Sequence, residues 1–234
     1  MFVQLKKRPK NPIIIEGFPG FGLIGTISTE FLIEHLGAEP IGKIFSRALL
    51  PLVAIRGSKV LQPLELYYAP KKNIVILHAL SGASGLEWEI SETLVRLAKE
   101  LNAKEIISIE GIGAQTINAK AYYFTNLKEK KKEFEKIGIE ELGEGVVVGV
   151  TGALLLNTDE VPHTCIFAET HSQLPDSKAA AKIIEVLDKY LGLNVDYKPL
   201  LKAAEQFEQK IKGIIEKGRE ATKFKEEKKP AYFG

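Results

Sequence analysis

The sequence has little cysteine and no long apolar run, and each shortage excludes a class of protein. Cys165 is the single cysteine among 234 residues, so no disulfide can form within the chain, and a reducing cytoplasm is the expected location. The longest uncharged apolar stretch runs from Ala48 to Ile55, far short of the ~20 residues that cross a bilayer. The sequence therefore predicts a cytoplasmic protein with no membrane partner.

Neither sign of charge dominates the chain. Lys plus Arg is 32 and Asp plus Glu is 30, a formal balance of +2 that is too small to indicate a nucleic-acid partner. Apolar residues make up 45% and charged residues 26%, which are ordinary globular values. We expect an α/β domain over residues 1–197, a C-terminal helix over 198–227 and a flexible tail over 228–234.

Short β-branched runs that end in glycine turns recur along the chain. Apolar runs alternating with helical segments indicate strands buried on both faces, so the fold class is α/β, with a mixed, largely parallel sheet flanked by helices. Between residues 41 and 69, prolines and Gly57 favour antiparallel strands or hairpins. The four runs predicted as strands are Ile13 to Glu16, Ile74 to Leu80, Glu105 to Glu110 and Val146 to Val150.

Helices are predicted by apolar spacing and by cap residues. One should begin near Leu23 and end before Gly37, and the periodicity of leucines predicts another over 87–101. The Lys/Glu run 128–136 indicates a short solvated helix or loop, and Asp176 is placed to cap a helix that stops near Gly192.

A last helix is predicted from about residue 199 to 227, with apolar positions at heptad spacing. Two interpretations stay open for this seam: packing across its own domain, or an interface between copies of the chain in a homo-oligomer. The seam residues are Leu200, Ala204, Phe207, Ile211 and Ile214.

A glycine motif follows the first predicted strand. Gly20, Gly22 and Gly25 match G-x-G-x-x-G, which in this context can bind a dinucleotide. However, Arg47 stands where a ribose-binding acid would be expected, and the ring of Phe21 would obstruct a pyrophosphate. We interpret the motif as a structural turn that lets helix and strand pack closely, and we expect no cofactor.

Two glutamates end predicted strands that have similar local sequences. Glu16 lies in IIEG and Glu110 in SIEG, so their carboxylates should converge at one edge of the sheet. Paired carboxylates can perform acid–base catalysis or bind a metal, but strand-end carboxylates more often accept hydrogen bonds from the following turn. We therefore expect no catalytic residue here. The SGASG segment from Ser81 to Gly85 resembles a nucleophile elbow but fits a helix-entry loop better.

Residue types that bind zinc cluster between positions 159 and 171. Those on one face of an extended strand would spread over ~25 Å, too far for one ion. No feature marks Cys165 as an activated nucleophile, so we predict neither a metal site nor a catalytic cysteine. The residues concerned are Asp159, Glu160, His163, Cys165, Glu169 and His171.

Several segments together resemble one family, the archaeal homologues of the eukaryotic proteasome assembly chaperones, in the branch akin to assembly chaperone two. The resemblance implies an α/β domain similar to the nucleoside phosphorylase architecture, no catalysis, homo-oligomers, and binding to proteasome α subunits. The segments are EGFPGFGLIGTIS at 16–28, EHLGAEPIGKI at 34–44, GASGLEWEISE at 82–92, IEGIGA at 109–114, GVTGALLL at 149–156 and PDSKAAAKIIEVLDKYLGLNVDYKPLL at 175–201.

The resemblance also implies a C-terminal tail, of the pattern hydrophobic residue, tyrosine, any residue, that enters pockets between α subunits. In this chain those positions fall on Tyr232, Phe233 and Gly234, whose carboxylate would pair with a basic pocket residue. Phe233 stands where tyrosine is expected, so the hydroxyl hydrogen bond is missing. The resulting hypothesis is an assembly chaperone or activator-like adaptor. The alternative is a small-molecule enzyme or nucleotide-binding protein that uses the glycine-rich turns.

Overall fold

The computed structural model describes residues 1–113, 120–157, 161–170, 174–198, 201, 212–213 and 216–217. The strands there are β1 (Phe2–Leu5), β2 (Ile13–Gly17), β3 (Glu39–Phe45), β4 (Ala54–Arg56), β5 (Lys59–Leu61), β6 (Leu64–Ala69), β7 (Ile74–Ala79), β8 (Glu105–Gly113), β9 (Ala121–Thr125), β10 (Glu140–Glu141) and β11 (His163–Thr170). The helices are α1 (Ile24–His35), α2 (Glu87–Leu101), α3 (Lys128–Lys136), α4 (Gly149–Leu156) and α5 (Ser177–Leu191).

Nine strands form one mixed sheet in the order β1-β3-β6-β7-β2-β8-β11-β9-β10, and β4 and β5 form a separate hairpin. The central strands β7, β2, β8 and β11 are parallel to one another. Antiparallel pairing joins β1, β3, β6 and β7 on one side and β11 to β9 on the other. The structure thus confirms the predicted α/β class, and the antiparallel strands predicted between residues 41 and 69 are present.

Helices cover both faces of the sheet because its central strands are apolar on both sides. Ile15 faces a core cluster that α1 and α5 complete, whereas its neighbour Ile14 faces the cluster completed by α2 and α4. α3 joins the α1/α5 face through Phe134, whose ring stacks on Tyr123 and Tyr190 at 4.3 and 4.5 Å between centroids. The single apolar residue of the Lys/Glu run therefore anchors that helix.

The helix boundaries follow the predicted caps. α1 comes directly after a 3₁₀ turn at Phe21–Leu23 and is closed by Gly37, whose φ of +59° suits glycine. α2 occupies the predicted range. Asp176 caps α5 by accepting a hydrogen bond from the Ala179 amide at 3.0 Å, and Gly192 ends that helix with φ +60°.

The strand predicted at Val146 to Val150 is wrong. Helix α4 begins at Gly149, and Val146 and Val148 are 88% and 67% exposed in the connection before it. The reason is topological: β11 pairs with β8 and so occupies the position in the sheet that a strand at 146–150 would need. The apolar run instead supplies the start of a helix that packs Val150 against the sheet.

Within the described part of the chain, no helix is both long and apolar enough to cross a bilayer. The predicted helix over 198–227 lies almost entirely outside the described residues, and the predicted tail over 228–234 lies wholly outside them.

Candidate functional site

Two carboxyl groups meet beneath α4, as the sequence predicted: Glu16 is fully buried near the end of β2, and Glu110 is partly buried within β8. Thr151, on α4, lies between them: its Oγ1 is 3.4 Å from Glu16 Oε1 and 3.2 Å from Glu110 Oε2, so the hydroxyl can donate to either. The parallel pairing of β2 and β8 brings the two glutamates together, and α4 covers them.

The surroundings of both glutamates favour the protonated form. Burial raises the pKa of Glu16 to about 8, the neighbouring Glu110 charge raises it further, and the hydroxyls of Ser108 and Thr151 counteract this in part. Burial likewise raises the pKa of Glu110 to about 7 against the hydrogen bonds from Thr151 and the Gly111 amide. Two adjacent carboxyls that hold protons near neutral pH have the chemistry of a general acid.

β11 extends this polar cluster with His163 and Cys165. His163 Nε2 is 2.8 Å from Ser108 Oγ and 3.6 Å from Cys165 Sγ. Burial lowers the pKa of His163 to about 4, and burial together with the two glutamates raises the pKa of the Cys165 thiol well above its usual range. A neutral imidazole beside a protonated, fully buried thiol is the reverse of an activated cysteine nucleophile.

The zinc-type residues on β11 are spread along the strand, as predicted. His163 and Cys165 meet at one end, while Glu169, near the other, accepts a hydrogen bond from the Tyr122 hydroxyl at 3.0 Å. Among the described residues, no group of three or more His, Cys, Asp or Glu side chains could hold a metal ion. Asp159, Glu160 and His171 lie outside the described residues.

The glycine motif brings α1 and its entry turn close to the strands. A Cβ at Gly25 would lie 2.8 Å from the Ile109 carbonyl oxygen, and one at Gly20 would collide with Glu110 Oε1. Gly22 has φ +62°, which an L side chain rarely adopts. These contacts support the structural interpretation of the motif, since its glycines serve helix–strand packing and cover Glu110.

A cleft of ≈ 330 Å³ opens above Glu110. Its walls are the glycine turn at 18–21, the helix-entry loop at 82–84 and the start of α4. The loop at 81–86 leads into α2, so it is the predicted helix-entry loop rather than a nucleophile elbow. Phe21 and Val148, 46% and 67% exposed, give the cleft an apolar rim, and Glu110 and Glu87 are its acidic residues.

Sequence reasoning missed a second polar cluster under the other helical layer. Glu30, on α1, accepts a hydrogen bond from the Arg56 guanidinium on β4, and its Oε2 lies 3.1 Å from His78 Nε2 on β7. His78 Nδ1 also lies 2.9 Å from Thr29 Oγ1. Burial acts to raise the pKa of Glu30, but hydrogen bonds and charge from His78 and Arg56 outweigh it and lower the pKa to about 2. The only sequence signal was a glutamate within an apolar helix.

The residues predicted to bind a partner or a second copy of the chain lie outside the described part of the chain. These are the tail residues Tyr232, Phe233 and Gly234 and the seam residues Leu200, Ala204, Phe207, Ile211 and Ile214.

Comparison with known proteins finds relatives over most of the chain. A model of the PAC2 family matches residues 14–215. A protein of Methanocaldococcus jannaschii, described as uncharacterized, is 33% identical over 210 residues, which are 88% of this chain and 87% of that one.

Two solved structures from Pyrococcus furiosus share the fold. PbaA, described as an archaeal homolog of proteasome-assembly chaperone, is 34% identical with a TM-score of 0.84, over 94% of this chain and 99% of its own. PbaB, described as an archaeal proteasome activator, is 23% identical with a TM-score of 0.75, over 91% of this chain and 98% of its own. At that identity PbaB supports the fold alone.

Proposed function

The chain belongs to the PAC2 family, and on that premise we propose that it is a proteasome assembly chaperone or activator-like adaptor that binds proteasome α subunits in the cytoplasm. The observation that carries this proposal is the 34% identity to PbaA, a homolog of proteasome-assembly chaperone, over nearly the full length of both chains. It also agrees with the resemblance that the sequence segments indicated.

The proposed contact is the tail, Tyr232, Phe233 and Gly234, inserted between neighbouring α subunits. Burial of an aromatic side chain is worth roughly 1.5–3 kcal/mol when it is fully desolvated. Part of this is offset by the entropy lost when a tail becomes ordered, so one tail should bind weakly.

We propose that the protein is a homo-oligomer, so that several weakly binding tails together give high affinity for the α ring. Several linked tails raise the effective concentration of each further docking event. Leu200, Ala204, Phe207, Ile211 and Ile214 are the proposed interface between copies. Light scattering at micromolar concentration should return a mass well above the 25.9 kDa of one chain, and a mass near that value would contradict the proposal.

We propose a non-catalytic role for the polar cluster around Glu16. Glu16 and Cys165 are fully buried and His163 is 2% exposed, so a substrate has no access to them in the described structure. A hydrogen-bonded cluster of neutral groups fits a structural role in joining α4 to the sheet.

The test replaces the two tail rings while keeping the length of the chain. Tyr232→Ser/Phe233→Ser should weaken binding to immobilised archaeal α rings in surface plasmon resonance by more than about tenfold, because two buried rings are lost. Trp88→Ser is the matched control, since it removes a 54% exposed ring from the α/β domain and should leave binding unchanged. A tail variant that binds as well as the wild type would place the docking surface elsewhere.

One observation favours a second candidate, a small-molecule site in the cleft above Glu110. The cleft lies at the carboxyl ends of the central strands, where α/β folds usually bind ligands, and burial raises the pKa of Glu110 to about 7. A thermal-shift screen with nucleosides and nucleotides tests it. Stabilisation that is lost in Glu110→Ala would support this candidate, and an unchanged melting temperature with every compound would reject it.

A further inference from the structure

An open groove lies on the sheet face next to the β4–β5 hairpin. Its volume is ≈ 710 Å³, about twice that of the cleft above Glu110. We call it the basic groove, because its cations are Lys6, Arg8 and Lys43. β1, β3 and the residues flanking β6 form its floor, and Val60 on β5 forms part of its wall.

Strand register places the Lys43 side chain and two aromatic rings on one face. Gln4 lies opposite Lys43 and Phe2 opposite Phe45 in the β1–β3 ladder, while the alternate residues Val3 and Leu5 pack into the core. The Lys43 ammonium is 5.9 Å from the centre of the Phe45 ring, which confirms that both side chains share a face.

Glycine keeps the floor of the groove open. A Cβ at Gly42 would collide with the Gln4 carbonyl oxygen and lie 2.8 Å from Leu5 Cδ2, so the two strands approach closely there.

The lining of the groove is net positive, because it contains Lys6, Arg8 and Lys43 against the single carboxylate of Glu65. Among the described residues, no carboxylate pairs with Lys6, and the hydrogen bond recorded for the Lys43 ammonium goes to the neutral Gln62 Oε1 at 3.3 Å. Glu65, the acidic residue of the lining, lies opposite Lys43 in the β3–β6 ladder and accepts a hydrogen bond from the Tyr67 hydroxyl at 2.7 Å, so it offsets part of the Lys43 charge. Arg8 pairs with Glu100 at 3.0 Å, but both side chains are exposed, so that pair is weak.

Two further features fit an extended polypeptide. β1 is the border strand of the nine-stranded sheet, and within the described residues β5 pairs with β4 alone, so both strands have a backbone edge available. Phe2 and Phe45, 47% and 38% exposed with ring centres 5.2 Å apart, form an apolar patch beside the cations.

We propose that the basic groove binds an acidic, extended peptide segment of another protein, with an apolar side chain of that segment resting on Phe2 and Phe45. Main-chain hydrogen bonds to a strand edge would give affinity, and the alternation of carboxylates with an apolar residue would give specificity. A nucleic acid fits less well, because three cations, one of them already paired, neutralise few phosphates. This proposal uses none of the tail residues and stands independently of the proposed function.

The test measures fluorescence anisotropy with the full chain and a labelled peptide of alternating glutamate and alanine with one central phenylalanine. Lys6→Ala/Lys43→Ala should bind about fivefold or more weakly than the wild type, since two ion pairs are lost. Lys71→Ala/Lys132→Ala is the matched control, because it removes the same charge from exposed positions outside the groove and should bind like the wild type. Val60→Glu, on the exposed wall, should also weaken binding without removing a cation.

Each outcome decides the proposal. Weaker binding by both groove variants, but not by the control, supports it, as does failure of the same peptide with lysine in place of glutamate. Equal binding by the groove and control variants would show nonspecific attraction and would overturn it, as would absence of binding by the wild type. An unlabelled single-stranded oligonucleotide that displaces the peptide from the wild type more effectively than the unlabelled peptide itself would assign the groove to nucleic acid instead.

Discussion

Two buried glutamates on opposite faces of the same sheet have opposite ionisation. Glu16, under α4, is fully buried, and Glu30, in α1, is 3% exposed. The pKa of Glu16 is raised to about 8, whereas that of Glu30 is lowered to about 2.

The difference arises from their partners, because burial acts in the same direction on both. Glu16 meets hydroxyl groups and a second carboxyl, which leave the neutral form favoured. Glu30 meets His78 and the Arg56 guanidinium, which favour the carboxylate. The α4 face therefore contains a neutral hydrogen-bonded cluster, and the α1 face an ion pair that ties the β4–β5 hairpin to the domain.

Removal of the Glu30 charge should have the largest effect. We expect Glu30→Gln to lower the free energy of unfolding by about 3 kcal/mol, since it leaves Arg56 and His78 without their carboxylate. Urea denaturation at neutral pH measures this, with Glu92→Gln on the exposed side of α2 as the matched control. A loss equal to that of the control would show that the ion pair contributes nothing to stability.

Neutralisation of Glu16 should have a smaller effect that depends on pH. A raised pKa gives stability that is present below the ordinary value of 4.5 and is lost as pH rises through about 8. Between about pH 6 and about pH 7.5, Glu16→Gln should therefore lose about 2 kcal/mol less stability than the wild type does. Parallel stability–pH curves for the two proteins would mean that Glu16 is ionised throughout this range.

Removal of the shared hydroxyl should have the smallest effect. Thr151→Val keeps the shape of the side chain but leaves both carboxyls without this donor, so we expect a loss of about 1 kcal/mol. Thermal unfolding at neutral pH measures it. A variant as stable as the wild type would indicate that Ser108 and the Gly111 amide suffice for the two carboxyls.

Local patterns predicted most of the fold. Periodicity and capping located α1, α2 and α5, because Gly37, Asp176 and Gly192 act within one turn of their helices. The strand prediction at Val146 to Val150 was wrong because a strand-like composition carries no information about which segment pairs with β8. In the structure, β11 is the segment that pairs with β8. Sheet order depends on contacts distant in sequence, which composition does not report.

One part of the candidate site, the meeting of Glu16 and Glu110, was predictable because both residues follow similar apolar strand sequences. The similar sequences around Glu16 and Glu110 indicated that the two carboxylates meet. The alternation of side chains along a strand predicted that His163 and Cys165 share a face. Glu30, His78 and Arg56 come from three separate elements and carry no local signal. The basic groove likewise depends on the register of β1 against β3.

In the proposed function, the α/β domain is a scaffold and the tail binds the proteasome. Electron microscopy of archaeal α rings mixed with the wild type, with Glu110→Gln or with Tyr232→Ser/Phe233→Ser tests it most directly. We expect density on the ring face for the first two proteins and bare rings for the tail variant. Rings decorated by the tail variant, or left bare by the wild type, would contradict it.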